Sequence, residues 1–109
     1  MESVQITEKI TPDYILLSVV GSINSYTYQE FESKIYSSIK ENNIVLELSN
    51  VTNMSSSGLG VLMSAHDEGE EHGHKLYILA PSEIVRLAID STGFSEMFTI
   101  IHSVSDLSQ

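Results

Sequence analysis

A chain of 109 residues, 41% hydrophobic and 18% charged, has the length and apolar content of one globular domain and no room for a second. Fifteen acids against five bases leave a formal charge of −10, which speaks against nucleic acid and anionic membrane as partners, since both are polyanions, and favours a partner with a basic face. The absence of cysteine excludes disulfides, thiolate-zinc sites and a cysteine nucleophile; no run approaches the ~20 apolar residues that span a bilayer, and Met1-Glu2-Ser3 lacks a signal-like start, so the expected compartment is the cytoplasm.

Val4 and Ile6 alternate with polar residues and lead to Ile10; Thr11-Pro12-Asp13 then separates them from a second apolar run, Tyr14–Val20, which Gly21 closes. Proline followed by aspartate between two apolar runs predicts a turn between paired strands. From Ser25 the period changes, and Tyr28, Phe31, Ile35 and Ile39 predict a helix ending near Glu41, before Asn42-Asn43. Thr27 and Glu30 have the spacing of a capping box. Ile44–Leu48 reads as a mostly buried strand and 49–56 as a polar loop. Leu59, Leu62, Met63 and His66 return to helical spacing, with Gly73 suited to a left-handed helix end. Lys75–Ala80 reads as a strand, Pro81-Ser82-Glu83 as the start of a helix carrying Val85, Ala88 and Ile89, and Gly93 as the residue beyond its end. Phe98–Ile101 is the last expected strand and Val104–Leu107 a short terminal helix. Strands that alternate with helices after an opening hairpin predict an α/β fold over residues 1–109, a mixed, mostly parallel sheet of about four to five strands with about four helices.

The segment Ser49-Asn50-Val51-Thr52-Asn53-Met54-Ser55-Ser56-Ser57-Gly58-Leu59-Gly60 lies between a buried strand and an amphipathic helix, where open α/β folds meet ligands and partners. Its serine run stands at or just before a helix N-terminus, where free amides and the helix dipole favour negative charge. A phosphoryl group there would suit the helix and add about −1.5 to −2 charge to the docking face. Serine is also a favoured N-cap, and the chain holds 18 serines, so capping and turn chemistry alone is the competing reading.

Leu46-Glu47-Leu48-Ser49-x-Val51-x-x-Met54-Ser55-Ser56-Ser57-Gly58-Leu59-Gly60 resembles the signature of the STAS domains of bacterial anti-sigma factor antagonists, the SpoIIAA-like proteins. Val20-Gly21-x-Ile23-Asn24 upstream, and Gly73-x-x-Leu76, Thr92-Gly93-Phe94 and Phe98-x-Ile100 downstream, extend the resemblance over nearly the whole chain. The resemblance implies a switch without enzymatic activity or cofactor. The unphosphorylated protein binds an anti-sigma factor that is also a serine kinase, freeing a sigma factor; the kinase inactivates it by phosphorylation and a metal-dependent serine phosphatase reverses this. The family's acceptor stands two residues before the motif glycine, which places it at Ser56, with Ser57 as the neighbour that caps or supports the helix. The family most often has an aspartate directly before the acceptor and another after the second strand, where this chain has Ser55 and Asn24; Ser55 is the rival acceptor. Asn24, Tyr26, Ser55, Ser56, Ser57 and Gly58 form the expected docking site, on a monomer or weak dimer. A constitutive STAS adaptor or scaffold in a regulatory or transport complex, never phosphorylated, is the alternative.

Other chemistry finds little support. His66, Glu70, His72 and His74 sit in an acidic stretch without a His-Glu-x-x-His pattern, and the two glycines loosen it, so a solvated helix end is expected and no metal site. No Gly-x-Ser-x-Gly elbow is present, and Gly58-Leu59-Gly60 lacks the lysine of a phosphate loop, so no enzymatic activity is expected. Tyr28 is expected to pack beneath its helix and Tyr26 to face a partner. Met54, Leu59 and Met63 have core spacing.

Overall fold

Alternation in the first strand and the turn residues behind it produce a hairpin. In the computed structural model, which describes residues 3–93 and 95–108, β1 (Val4–Ile10) pairs antiparallel with β2 (Ile15–Ile23), Ile10 opposite Ile15. The Thr11 hydroxyl closes the turn, donating to the Tyr14 carbonyl at 2.8 Å and accepting from the Tyr14 amide at 3.1 Å. β2 does not end at Gly21 but runs on to Ile23. Gly21 stays in the strand at φ 114°, with the Ser3 carbonyl where a Cβ would lie, a conformation and a close approach that only glycine permits without strain.

Helix α1 (Tyr28–Ile39) leads to β3 (Ile44–Met54), helix α2 (Ser56–His72) to β4 (Leu76–Leu79), and helix α3 (Glu83–Ser91) to β5 (Thr99–Ile101). The sheet order is β1-β2-β3-β4-β5, parallel from β2 onward. Of the polar loop expected over 49–56, residues 49–54 are instead the second half of β3, paired with the end of β2 across two register shifts, and Ser55 and Ser56 already belong to the start of α2. The buried residues of that half of β3, Val51 and Met54, stand three apart with exposed Thr52-Asn53 between them. Register shifts therefore broke the period of two by which a strand is recognised. The expected terminal helix is a 3-10 turn, Val104–Ser108, and a second 3-10 turn covers Ser95–Met97, so the described residues contain three α-helices. Phe94 of the Thr92-Gly93-Phe94 match, with Met1 and Glu2, lies outside the described residues.

Phe31, Ile35 and Ile39 of α1 and Val61, Leu62 and Ala65 of α2 join Leu17, Val19, Ile44, Leu46, Leu48 and Ile78 of the sheet in one core, closed by Val85 and Ile89 of α3. Full burial of each large aliphatic or aromatic side chain contributes about 1.5–3 kcal/mol. The expected capping box does not form: Thr27 precedes α1 with no side-chain cap, because its hydroxyl is turned back toward β2, donating to the Ser22 carbonyl at 2.7 Å and accepting from the Asn24 amide at 2.9 Å. Gly73 ends α2 in the left-handed conformation, φ 73°, as its position predicts. Among the described residues no helix is long and apolar enough to cross a membrane.

Candidate docking site at the carboxyl pole of the sheet

Parallel pairing puts the ends of β2 and β3 side by side, Ile23 in register with Met54. The Ser55 amide donates to the Ile23 carbonyl at 2.8 Å, which stitches the start of α2 to the end of β2. Asn24 and the serine run, 31 to 33 positions apart in sequence, therefore meet at one pole.

Within the run the serines divide their work. Ser55, in extended conformation with ψ 172°, is the N-cap of α2, and its hydroxyl accepts from the Gly58 amide at 3.4 Å. The helix cap assigned to Ser57 thus belongs to Ser55. Ser56 is the first helical residue and is exposed, while Ser57 is half-buried. Gly58 is buried, and a Cβ on it would stand 2.7 Å from Ile23 Cγ2, so the first turn of α2 lies directly on the end of β2. No acidic residue lies in that turn.

Asn24 is itself buried, and it shapes the loop rather than facing outward. Its Oδ1 accepts from the Tyr26 amide at 2.8 Å and the Thr27 amide at 3.1 Å, and Nδ2 donates to the Ser22 hydroxyl at 3.4 Å. This local turn carries Tyr26 out into solvent at 92% exposure, whereas Tyr28 packs against the core. Met54 is buried and Leu59 and Met63 pack on the core, as their spacing predicts.

One contribution was missed by sequence reasoning. The Ser82 hydroxyl donates to the Val51 carbonyl at 2.8 Å and accepts from the Val85 amide at 3.4 Å, so the cap of α3 also pins the continuation of β3 beside the serine run. The only sequence signal was the helix-start pattern at Pro81-Ser82-Glu83. Exposed Asn50, Thr52 and Asn53 and exposed Ser25, Tyr26 and Ser56 give this pole a polar surface. What such an arrangement can do is bind, and change its binding when a charge arrives at the exposed hydroxyl.

The acidic stretch at the other end of α2 is arranged differently. His66 Nε2 lies 3.3 Å from Glu70 and Nδ1 3.5 Å from Asp67, and the ring meets Phe98 edge-on; His72 stacks on His74. Among the described residues no group of three or more histidine or acidic side chains is placed to hold a metal ion.

The chain matches the family model of the STAS domain over residues 5–107. It is 28% identical over 90 residues to an anti-sigma-B factor antagonist of Staphylococcus epidermidis, covering 81% of this chain and 83% of that relative. Its fold is similar to that of the anti-sigma factor antagonist SpoIIAA in its unphosphorylated form, with a TM-score of 0.78, 18% identity, and 94% and 93% of the two chains covered. It is also similar to the phosphorylated form of SpoIIAA from Bacillus, with a TM-score of 0.73, 17% identity, and 95% and 97% covered.

Proposed function

We infer the function from one premise: the chain belongs to the STAS domain family. We propose that it is an anti-sigma factor antagonist, a binding protein and not an enzyme, whose unphosphorylated form engages an anti-sigma factor that is also a serine kinase and so frees a sigma factor. Phosphorylation of Ser56 ends that engagement, and a serine phosphatase restores it.

The carrying observation is the exposed Ser56 hydroxyl at the first residue of α2, beside a Ser55 hydroxyl already engaged in the helix cap. In the kinase reaction Ser56 Oγ attacks the γ-phosphorus of ATP; the bond to the bridging oxygen breaks, ADP leaves, and the hydroxyl proton passes to the kinase. This chain supplies only the acceptor. The free amides of the first turn and the helix dipole favour the resulting charge by about 0.3–1 kcal/mol per charge, so the product does not unfold its own helix. The change is felt outside: about −1.5 to −2 charge arrives on a polar surface, disfavouring any acidic or apolar partner surface seated there.

Intact mass after incubation with the cognate kinase and ATP tests the assignment. The wild type and Ser55→Ala gain one phosphoryl group and Ser56→Ala gains none. In a pull-down, Ser56→Asp loses the partner that the wild type retains. No mass gain in the wild type, or a gain that survives Ser56→Ala, overturns the switch at this residue; a partner that ignores Ser56→Asp indicates a constitutive adaptor.

A further inference from the structure

β1 is an edge of the sheet, and its one strand neighbour among the described residues is β2. We propose that this edge takes up an extended peptide segment of a partner protein, apolar and basic in alternation, as an added antiparallel strand beside α1. This binding function is separate from the switch.

The hydrogen bonds of the hairpin show which backbone groups the edge offers. The Ser22 amide donates to the Ser3 carbonyl at 3.1 Å and the Thr11 amide to the Tyr14 carbonyl at 2.9 Å. With Val4 opposite Gly21 and Ile10 opposite Ile15, Gln5, Thr7 and Lys9 therefore exchange bonds with β2, while Val4, Ile6, Glu8 and Ile10 turn their amides and carbonyls outward. The strand holds no proline and its pairing no register shift, so neither of these common edge protections is present.

The space next to those groups has room for a strand. Val4 is in the core, Ile6 packs against it and Glu8 reaches Lys34 of α1, so the outward backbone groups belong to residues whose side chains lie on the α1 side. A groove of about 470 Å³ lies there, lined by Val4, Gln5, Ile6, Glu30 and Lys34. A second, of about 200 Å³, shares Val4 and Glu30 with it and reaches Ser3, Tyr26 and Thr27. An added antiparallel strand bonds to Val4, Ile6 and Glu8 through its main chain and directs the side chains of those same bonding residues into the grooves, so main-chain bonds give affinity and the grooves give selectivity.

Charge selects the occupant. Glu30 is exposed and lines both grooves, whereas Lys34 is held by Glu8 at 2.6 Å, so Glu30 sets the sign that an incoming side chain meets. A second copy of the chain would bring its own Glu30 and a charge of −10 against −10. A basic segment from another protein is favoured over it.

Titration of the full chain with the end-blocked heptapeptide Lys-Val-Thr-Arg-Thr-Val-Lys, followed by NMR shifts and amide hydrogen exchange, tests the proposal. Saturable shifts are expected at Val4, Ile6, Glu8 and Glu30. Bound peptide slows exchange of the Ile6 and Glu8 amides by about tenfold or more, and that of Gln5 and Thr7, already bonded to β2, far less. Methylation of the peptide's valine and arginine amides abolishes binding, and methylation of its threonine amides does not. Glu-Val-Thr-Glu-Thr-Val-Glu binds about tenfold more weakly or worse, and Glu30→Gln weakens the basic peptide several-fold, while Glu71→Gln at the far end of α2 leaves it unchanged. Absence of saturation, binding that survives methylation of the valine and arginine amides, equal binding of the acidic peptide, or equal effects of Glu30→Gln and Glu71→Gln overturns the proposal. So does a dimer in sedimentation that protects the Ile6 and Glu8 amides without peptide, since the occupant would then be a second copy. None of these results bears on phosphorylation at Ser56.

Discussion

The Gly58 amide donates to the Ser55 hydroxyl at 3.4 Å, so Ser55 holds the start of α2 while Ser56, one residue on, is exposed. Adjacent side chains of identical chemistry thereby differ, one engaged in the helix cap and the other left exposed.

Stability should separate them. Ser55→Ala removes the cap and lowers unfolding free energy by about 1 kcal/mol, which for a domain near 100 residues is a drop of about 4–8 °C in Tm. Ser56→Ala stays within about 0.5 kcal/mol of wild type. Thermal and urea unfolding of the two variants measure this; a larger loss for Ser56→Ala would transfer the cap to Ser56.

Two glycines of α2 should respond to alanine with opposite signs. A Cβ at Gly58 would lie 2.7 Å from Ile23 Cγ2 and 3.3 Å from Met54 Cγ, while one at Gly60 meets nothing within 4 Å. Gly58→Ala is expected to cost about 1–3 kcal/mol through overpacking, net of its helix preference. Gly60→Ala should add up to about 1 kcal/mol, since only the helix preference acts. Denaturant midpoints read both, and a stabilised Gly58→Ala would show that α2 does not rest on β2.

Asn24 supports its loop through Oδ1, which two backbone amides share. Asn24→Ala removes the side-chain acceptor of the part-buried Tyr26 amide, while the Thr27 amide keeps the Asn24 carbonyl at 3.2 Å, and should cost about 1 kcal/mol. Asn24→Asp preserves the acceptor and should cost less. Equal losses in chemical denaturation would mean that the amide nitrogen, not the oxygen, carries the support.

Tyr26 offers a test of docking without a folding effect. At 92% exposure its truncation leaves Tm essentially unchanged. If it is an anchor for the anti-sigma partner, Tyr26→Ala weakens binding at least about tenfold, a loss of about 1.4 kcal/mol or more. Calorimetric titration of the partner measures it, and an unaltered Kd removes Tyr26 from the docking face.

Much of the chain could be read from its order alone. Phe31, Ile35 and Ile39 mark α1 because helical period and burial coincide there; the hairpin and the left-handed end at Gly73 follow from local turn chemistry. The serine run at the start of α2 was equally visible, since capping and helix periodicity are local properties. Other features required the folded chain. The continuation of β3 to Met54 depends on its pairing with β2 across two register shifts, which no local period records. The choice of Ser55 over Ser57 as cap depends on where the Ile23 carbonyl holds the backbone, and the use of the Thr27 hydroxyl depends on the end of β2 being within reach. Local propensity determined which elements form; contacts between strands distant in sequence decided which of several similar polar groups was spent on structure and which remained exposed, because a hydroxyl directed into one hydrogen bond is held out of another.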